Sequence, residues 1–265
     1  MKNNSWDTLS RCDRPNAMTY IDLIFQDFVE LSGDRLYGDD TSLVCGIAML
    51  KKIPVTIIGQ LRGGNLQEQI QRNFSMAYPE GYRKSMRLMR QAEKFNRPVI
   101  CFVDTIGAYP GLEAEERGQS AAIADQILTM LGLQVPIVSI LIGHGGSGGA
   151  LAFCAADRIA ILENAVLSVI SPKACAEILW KDISRANEAA QLLKMTSTEL
   201  LEQGLVDRII PEPAKGAYGN AAEMASQIEE YLSREIRSLE RLSPKKLVRQ
   251  RKRKFRSIGV KGISH

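Results

Sequence analysis

Apolar residues recur along this chain at two periods, and the change from one to the other marks its architecture. After Thr19, residues Ile21, Ile24, Phe25, Phe28 and Leu31 follow at spacings of three and four up to Gly33, which predicts a helix over about 20–32. Two short runs rich in Val and Ile come next, 43–50 and 54–59. Joined by Lys51-Lys52, they predict a hairpin or adjacent strands. Residues 60–78 contain Gly63-Gly64-Asn65 and read as loop or irregular helix. Pro79-Glu80-Gly81 then opens a helix running through Tyr82, Met86, Met89 and Ala92 to Phe95. From residue 97 the pattern alternates as parallel sheets require: strand 98–104, helix 113–133, strand 136–142, short helix 147–156, strand 158–162. Helices follow at about 174–180, 186–193 and from Ser197. A strand over 205–210 is closed by Pro211 and Pro213. Residues 220–240 form a long amphipathic pattern with Ala225, Ile228, Leu232 and Ile236 on one face. The fold class is α/β, divided into an N-terminal segment 1–18, one domain over 19–240 and a C-terminal tail 241–265.

Composition narrows the class further. The 265 residues are 45% hydrophobic and 24% charged, enough for one sizeable core. No apolar run reaches the roughly 18 residues of a membrane span, and the start, MKNNSWDTLSRCDRP, lacks the apolar centre of a signal peptide. A cytoplasmic protein with no membrane contact is the expectation. The five cysteines, at 12, 45, 101, 154 and 175, include no CxxC pair, so buried free thiols are expected in place of a disulfide framework or a zinc site. The net charge of +4 divides unevenly. Ten Lys or Arg and no acid lie in 241–265, which leaves the other 240 residues at −6. A tail of that kind either binds nucleic acid or another acidic surface, or stands as a solvated terminal helix with a frayed end.

Two segments carry candidate chemistry. Asp104-Thr105-Ile106-Gly107-Ala108-Tyr109-Pro110-Gly111 and Gly143-His144-Gly145-Gly146-Ser147-Gly148-Gly149 each lie between a predicted strand and a predicted helix. Glycines there free the backbone from Cβ and let N–H groups face outward at a helix start, a device for holding negative oxygen. Gly145 to Gly149 also matches the G-x-S-x-G nucleophile elbow. A triad needs a base, however, and the two histidines are the adjacent His144 and the terminal His265. No lysine ends either turn as a P-loop requires. Gly143, Gly145 and Gly148 fit half of a dinucleotide fingerprint, late in the chain and with Glu163 as the one acidic candidate. Glu113, Glu115 and Glu116 are either catalytic carboxylates or complements to a helix N-terminus.

At these turns the chain resembles a known family. DTIGAYPGLEAEERGQSAAIA, IGHGGSGGALA, SVISPKACAEILWKD, NFSMAYPEGYRKSMRLMRQAEKF and LVDRIIPEP are together similar to the carboxyltransferase alpha subunit of bacterial acetyl-CoA carboxylase, in family order over about 15–255. The resemblance implies a crotonase-like (ClpP/crotonase) spiral of repeated strand-strand-helix units. It also implies an alpha2beta2 heterotetramer whose beta subunit carries a zinc ribbon, with no metal in this chain. The implied reaction moves a carboxyl group from carboxybiotin, a co-substrate held on biotin carboxyl carrier protein, to acetyl-CoA. Malonyl-CoA forms for fatty acid synthesis, and only the complex with the beta subunit is active. An enolate on the thioester and a ureido anion are the charges to be held. The family's alpha-side oxyanion hole maps onto Gly148 and Gly149, with Gly107, Gly111, Leu112, Gly145 and Gly146 shaping the cofactor-binding cleft. This sequence has His144 where the family usually has Glu, Ile106 where it has Pro or a small residue, and Lys173-Ala174 where it has Glu-Gly. It also lacks the N-terminal helical extension of many members. Those changes leave two alternatives open: an accessory paralogue that assembles with the beta subunit without full activity, and a stand-alone enoyl-CoA hydratase or isomerase.

Overall fold

Helix gives way to strand earlier than the apolar spacing predicts. In the computed structural model, which describes residues 14–213 and 216–259, helix α1 spans Ala17–Ile24 and is capped by Asn16, whose Oδ1 accepts from the Thr19 N–H at 3.0 Å. Phe25 is already extended (φ −109°, ψ 154°), and strand β1 (Gln26–Glu30) pairs antiparallel with β2 (Leu43–Leu50). The expected helix over 20–32 is thus helix and strand. Residues 24, 25, 28 and 31 fit helical spacing, but Phe28 lies against Gly46 of β2, where a Cβ would fall 2.6 Å from its ring. The vacancy at Gly46 lets tertiary packing override local period. Residues 1–13, including Cys12, and the terminal His265 lie outside the described residues.

The hairpin stands as expected. Strands β2 and β3 (Ile53–Gln60) pair antiparallel through a turn with Lys51 at φ 56°. Between β3 and the next strand come α2 (Leu66–Gln71) and α3 (Pro79–Lys94). Parallel pairing then adds β4 (Val99–Thr105), β5 (Ile137–Gly146), β6 (Arg158–Leu162) and β8 (Arg208–Ile210) beside β3. Among the described residues the sheet has eight strands, and the short β7 (Val166–Ser168) pairs within it with the far end of β5. All seven residues of β4 are buried, as a parallel strand covered on both faces must be.

The predicted helix over 113–133 is broken in two. Gly118 takes φ 82° between α4 (Leu112–Glu116) and α5 (Gln119–Gly132), so that the buried Gln119 amide reaches the carbonyls of Ala77 and Tyr109. The helix expected over 147–156 shrinks to one turn, α6 (Ser147–Leu151). Helices α7 (Pro172–Trp180), α8 (Ala186–Leu193), α9 (Ser197–Glu202), α10 (Gly216–Gly219) and α11 (Ala221–Glu240) follow. Ala225, Ile228, Leu232 and Ile236 of α11 are buried within the chain's own core.

The basic tail is only partly solvated. Helix α12 (Pro244–Arg256) exposes Lys245, Lys246, Arg249, Lys252 and Arg253 but buries Leu247 and Arg251. The Arg251 guanidinium donates to the Asp157 carboxylate at 2.6 and 2.9 Å and to the carbonyls of Met130, Leu133 and Val135. Those carbonyls end α5 and lead into β5, so one side chain fastens the tail helix to the sheet. Cys45, Cys101 and Cys154 are buried free thiols, as expected, and burial pushes Cys45 and Cys154 up to about 12. Cys175 is half-buried. No helix among the described residues is long and apolar enough to cross a membrane.

Candidate functional site

The two glycine segments lie side by side at the carboxyl ends of β4 and β5, where Thr105 faces Gly145 in the ladder. That is where ligands meet an open parallel sheet. The second segment is less of a turn than its glycines suggest. Strand β5 continues through Gly143, His144, Gly145 and Gly146 because β7 pairs with it there. The reversal is concentrated in Ser147, exposed and at φ 49°, from which α6 starts. For a residue with a Cβ that conformation costs about 1–2 kcal/mol, and the surrounding pairing sustains it.

Close approach explains the glycines. A Cβ on Gly146 would run into the Ile106 carbonyl, and one on Gly149 would lie 2.5 Å from the Gly107 carbonyl carbon and 2.7 Å from the Ala108 nitrogen. The turn after β5 is therefore laid directly on the turn after β4. Gly148 differs, because a Cβ there would meet only Ile123, at 3.9 Å. Gly145 is buried between Leu141 and Leu167, and Gly107 is half-buried. Gly111 caps α4 beside the Tyr109 ring, and Leu112 is exposed. The first N–H groups of a helix have no acceptor within it, which leaves those of the α6 start available to a ligand.

Several residues that fix this arrangement carry no motif. The buried Gln60 side chain donates to the Gly149 carbonyl at 2.9 Å and accepts from the Asp104 N–H at 3.1 Å. Asp104 is buried, and its carboxylate accepts the His144 N–H at 2.8 Å. Asn73, Phe74 and Ser75 form a left-handed turn (φ 49°, 52° and 64°) beneath the end of β4. Ser75 Oγ donates to the Asp104 carbonyl at 2.6 Å, while Thr105 Oγ1 lies 2.5 Å from the Ser75 carbonyl and 2.7 Å from the Gly107 carbonyl, so that its one proton serves either of them. These bonds hold Ser75, the last of the three left-handed residues, against the end of β4.

A cavity of about 260 Å³ opens beside the paired turns. Ile106, Val166, Val169, Ile170, Pro172 and Met195 supply apolar wall, and His144, Ser147, Ser168 and Lys173 polar wall. The three positions at which the sequence departs from the resembling family, 106, 144 and 173, thus line one space. Ser147 and Gly148 border an adjoining groove with Leu151, Leu167 and Leu193. His144 Nδ1 lies 3.0 Å from Arg62 Nη1. A guanidinium only donates, so Nδ1 accepts and the ring keeps its proton on Nε2 while that bond holds. No carboxylate can then orient the ring through Nδ1, which removes the third member of the triad that the G-x-S-x-G match requires. Glu113, Glu115 and Glu116 line neither hollow. The Glu113 carboxylate is held below its usual range by its own N–H and the hydroxyls of Tyr109 and Tyr78, against some desolvation. Glu163, the acidic residue of the dinucleotide reading, accepts the Glu212 N–H at 2.9 Å. Among the described residues no group of His, Cys, Asp or Glu is placed to hold a metal ion.

Comparison with known proteins agrees with the geometry. A family model described as acetyl co-enzyme A carboxylase carboxyltransferase-like matches residues 3–259. The acetyl-coenzyme A carboxylase carboxyl transferase subunit alpha of Halalkalibacterium halodurans is 54% identical over 247 residues, 93% of this chain and 76% of that protein. A Clostridium tetani protein named for both subunits, beta/alpha, is 50% identical over 261 residues, 97% of this chain and 45% of its own length. Among solved structures, a transcarboxylase 12S subunit superposes with a TM-score of 0.66 at 19% identity, covering 87% of this chain and 45% of the subunit. A chain of a Pseudomonas malonate decarboxylase hetero-tetramer in complex with coenzyme A gives 0.65 at 17%, over 76% of this chain and 81% of its own. At that identity the likeness establishes the fold, the expected crotonase-like one. With the family match extending over nearly the whole sequence, the chain belongs to the carboxyltransferase alpha subunits of acetyl-CoA carboxylase.

Proposed function

We propose that this chain supplies the alpha half of a site that passes the carboxyl group of carboxybiotin, presented on biotin carboxyl carrier protein, to acetyl-CoA, giving malonyl-CoA. The observation that carries the reading is the α6 turn, pressed on the 106–108 loop beside the cavity. The apolar wall suits an uncharged ring system. The N–H groups of Gly148 and Gly149 are assigned to the oxygen on which negative charge gathers as the carboxyl group leaves. When bound, carboxybiotin supplies the carboxyl group; this chain orients it, excludes water from it and stabilises that oxygen. Gly146, like Gly149, permits the close approach of the two turns, Gly145 packs between Leu141 and Leu167 behind them, Gly107 belongs to the loop they press on, and Gly111 and Leu112 shape the entrance.

Beta subunits with a zinc ribbon, in an alpha2beta2 heterotetramer, are the proposed partners, and the beta/alpha relative supports the pairing. The α11 apolar face is occupied by the chain's own core. Leu128, Leu151 and Val169 on and beside α5 and α6 remain exposed for a partner. The enoyl-CoA hydratase or isomerase alternative needs carboxylates aimed into the cavity, and among the described residues its lining includes none. Work in the cytoplasm fits the absence of a spanning helix among the described residues. The reading is tested by mixing the chain with the beta subunit of the same organism and the carboxylated carrier, and measuring malonyl-CoA.

His144 offers a further check. Since Arg62 donates to its Nδ1, a glutamate at 144 pairs with the same guanidinium and leaves the turn in place. The carboxyl-transfer profiles of wild type and His144→Glu are expected to coincide across pH 6–8. Divergence of the two profiles would mean that the side chain at 144 does more than hold Arg62.

A further inference from the structure

We infer that Gln60 is a positioning residue for carboxyl transfer, acting on the α6 turn through Gly149; the inference rests on the assignment of that turn to the oxygen that gains charge. Gln60 ends β3, and its side chain is 1% exposed. The backbone ladder between β3 and β4 stops at Gly59 and Phe102, after which the main chain of β3 turns away and the Leu61 N–H goes to Ser42. The Gln60 amide supplies the next rung. Its Oε1 takes the Asp104 N–H and its Nε2 reaches past β4 to the Gly149 carbonyl. Both partners have a single role, donor or acceptor, so the amide has one orientation that satisfies them.

The consequence falls on the donor geometry. In a one-turn helix the Gly149 carbonyl lacks its usual partner, because the Phe153 N–H goes to Ala150. A glycine carbonyl left free rotates easily, and the peptide planes on either side of Gly149 rotate with it. By fixing that carbonyl, Gln60 fixes the direction of the neighbouring N–H groups. Through Asp104, which receives the His144 N–H, it also ties the β4 turn to β5. No titratable or metal-binding group is required, only an amide that donates at one end and accepts at the other. Misorientation of donors by a fraction of an ångström is what such sites tolerate least.

The test uses the assembled complex and two variants. Gln60→Met keeps volume and removes both bonds. It is expected to lower kcat about ten- to a hundredfold, leave KM for acetyl-CoA within about twofold and leave assembly unchanged. Gln60→Glu can donate to Gly149 only when protonated, so its activity relative to wild type is expected to rise as pH falls from 8 to 6, while Gln60→Met stays flat. Amide exchange in 147–151 is expected to quicken about tenfold in the isolated Gln60→Met chain, with α11 unaffected. Wild-type kcat and wild-type exchange in Gln60→Met would overturn the inference, as would equal pH profiles for both variants. An inactive wild-type complex would instead count against the carboxyltransferase reading, and the exchange measurement would still decide the role of Gln60. If Gln60→Met does not fold, the pH profile and exchange of Gln60→Glu decide it.

Discussion

Gly149→Val is expected to abolish carboxyl transfer, by more than about a thousandfold, and to destabilise the chain by about 1–3 kcal/mol. The new Cβ would be wedged between the Gly107 carbonyl carbon and the Ala108 nitrogen, both backbone, so no rotamer change relieves it. Either α6 lifts or the 104–108 loop moves, and Asp104 resists the second because its N–H and carboxylate are engaged by Gln60 and His144. Blocking the approach of the bound oxygen accounts for the lost turnover. The structure adds a packing cost. Thermal unfolding and a malonyl-CoA assay on the variant check both parts; wild-type values in both would mean that the two turns are not in contact.

Arg251→Ala is expected to cost about 3–5 kcal/mol of stability, enough to unfold many domains at ordinary temperature. Truncation leaves the Asp157 carboxylate, 4% exposed, without its partner and strips donors from the carbonyls of Met130, Leu133 and Val135. The Ile137 N–H continues to donate to Asp157 at 2.8 Å, which is too little to replace a guanidinium. Denaturant unfolding of wild type, Arg251→Ala and the exposed control Arg249→Ala measures it. A loss below about 1 kcal/mol in Arg251→Ala, no more than an exposed contact gives, would show that the pair is not buried in solution.

Much of the scaffold was legible because its period is local. The alternation after residue 97 yields β4, β5 and β6 in order, and the paired glycine turns mark the carboxyl ends where the cavity lies. Residues 25–31 misled, since their spacing of three suits a helix, and strand β1 takes it up through an irregular register between Gln26 and Val29, where Asp27 has φ 53°. Gly143 to Gly146 misled in the opposite sense, as glycines that suggest a turn serve an extended strand passing close to its neighbours. Gln60, Ser75 and Thr105 were silent because their partners lie 29–89 residues away and no motif joins them. Arg251 was hidden differently, one inward side chain within a run of outward ones. The spacing of Leu247 and Arg251 on one face of α12 was the available signal.

The central claim is that the N–H groups of the α6 turn hold the oxygen that gains charge. Gly148→Val tests it most directly, because a Cβ at that position comes no nearer to the protein than ordinary contact with Ile123, at 3.9 Å. Mixed with the beta subunit and the carboxylated carrier, wild type is expected to form malonyl-CoA and neither subunit to do so alone. The Gly148→Val complex is expected to assemble normally and turn over about a hundred- to a thousandfold more slowly, as when an oxyanion donor is put out of reach by the added side chain. Wild-type rates from an assembled Gly148→Val complex would contradict the claim.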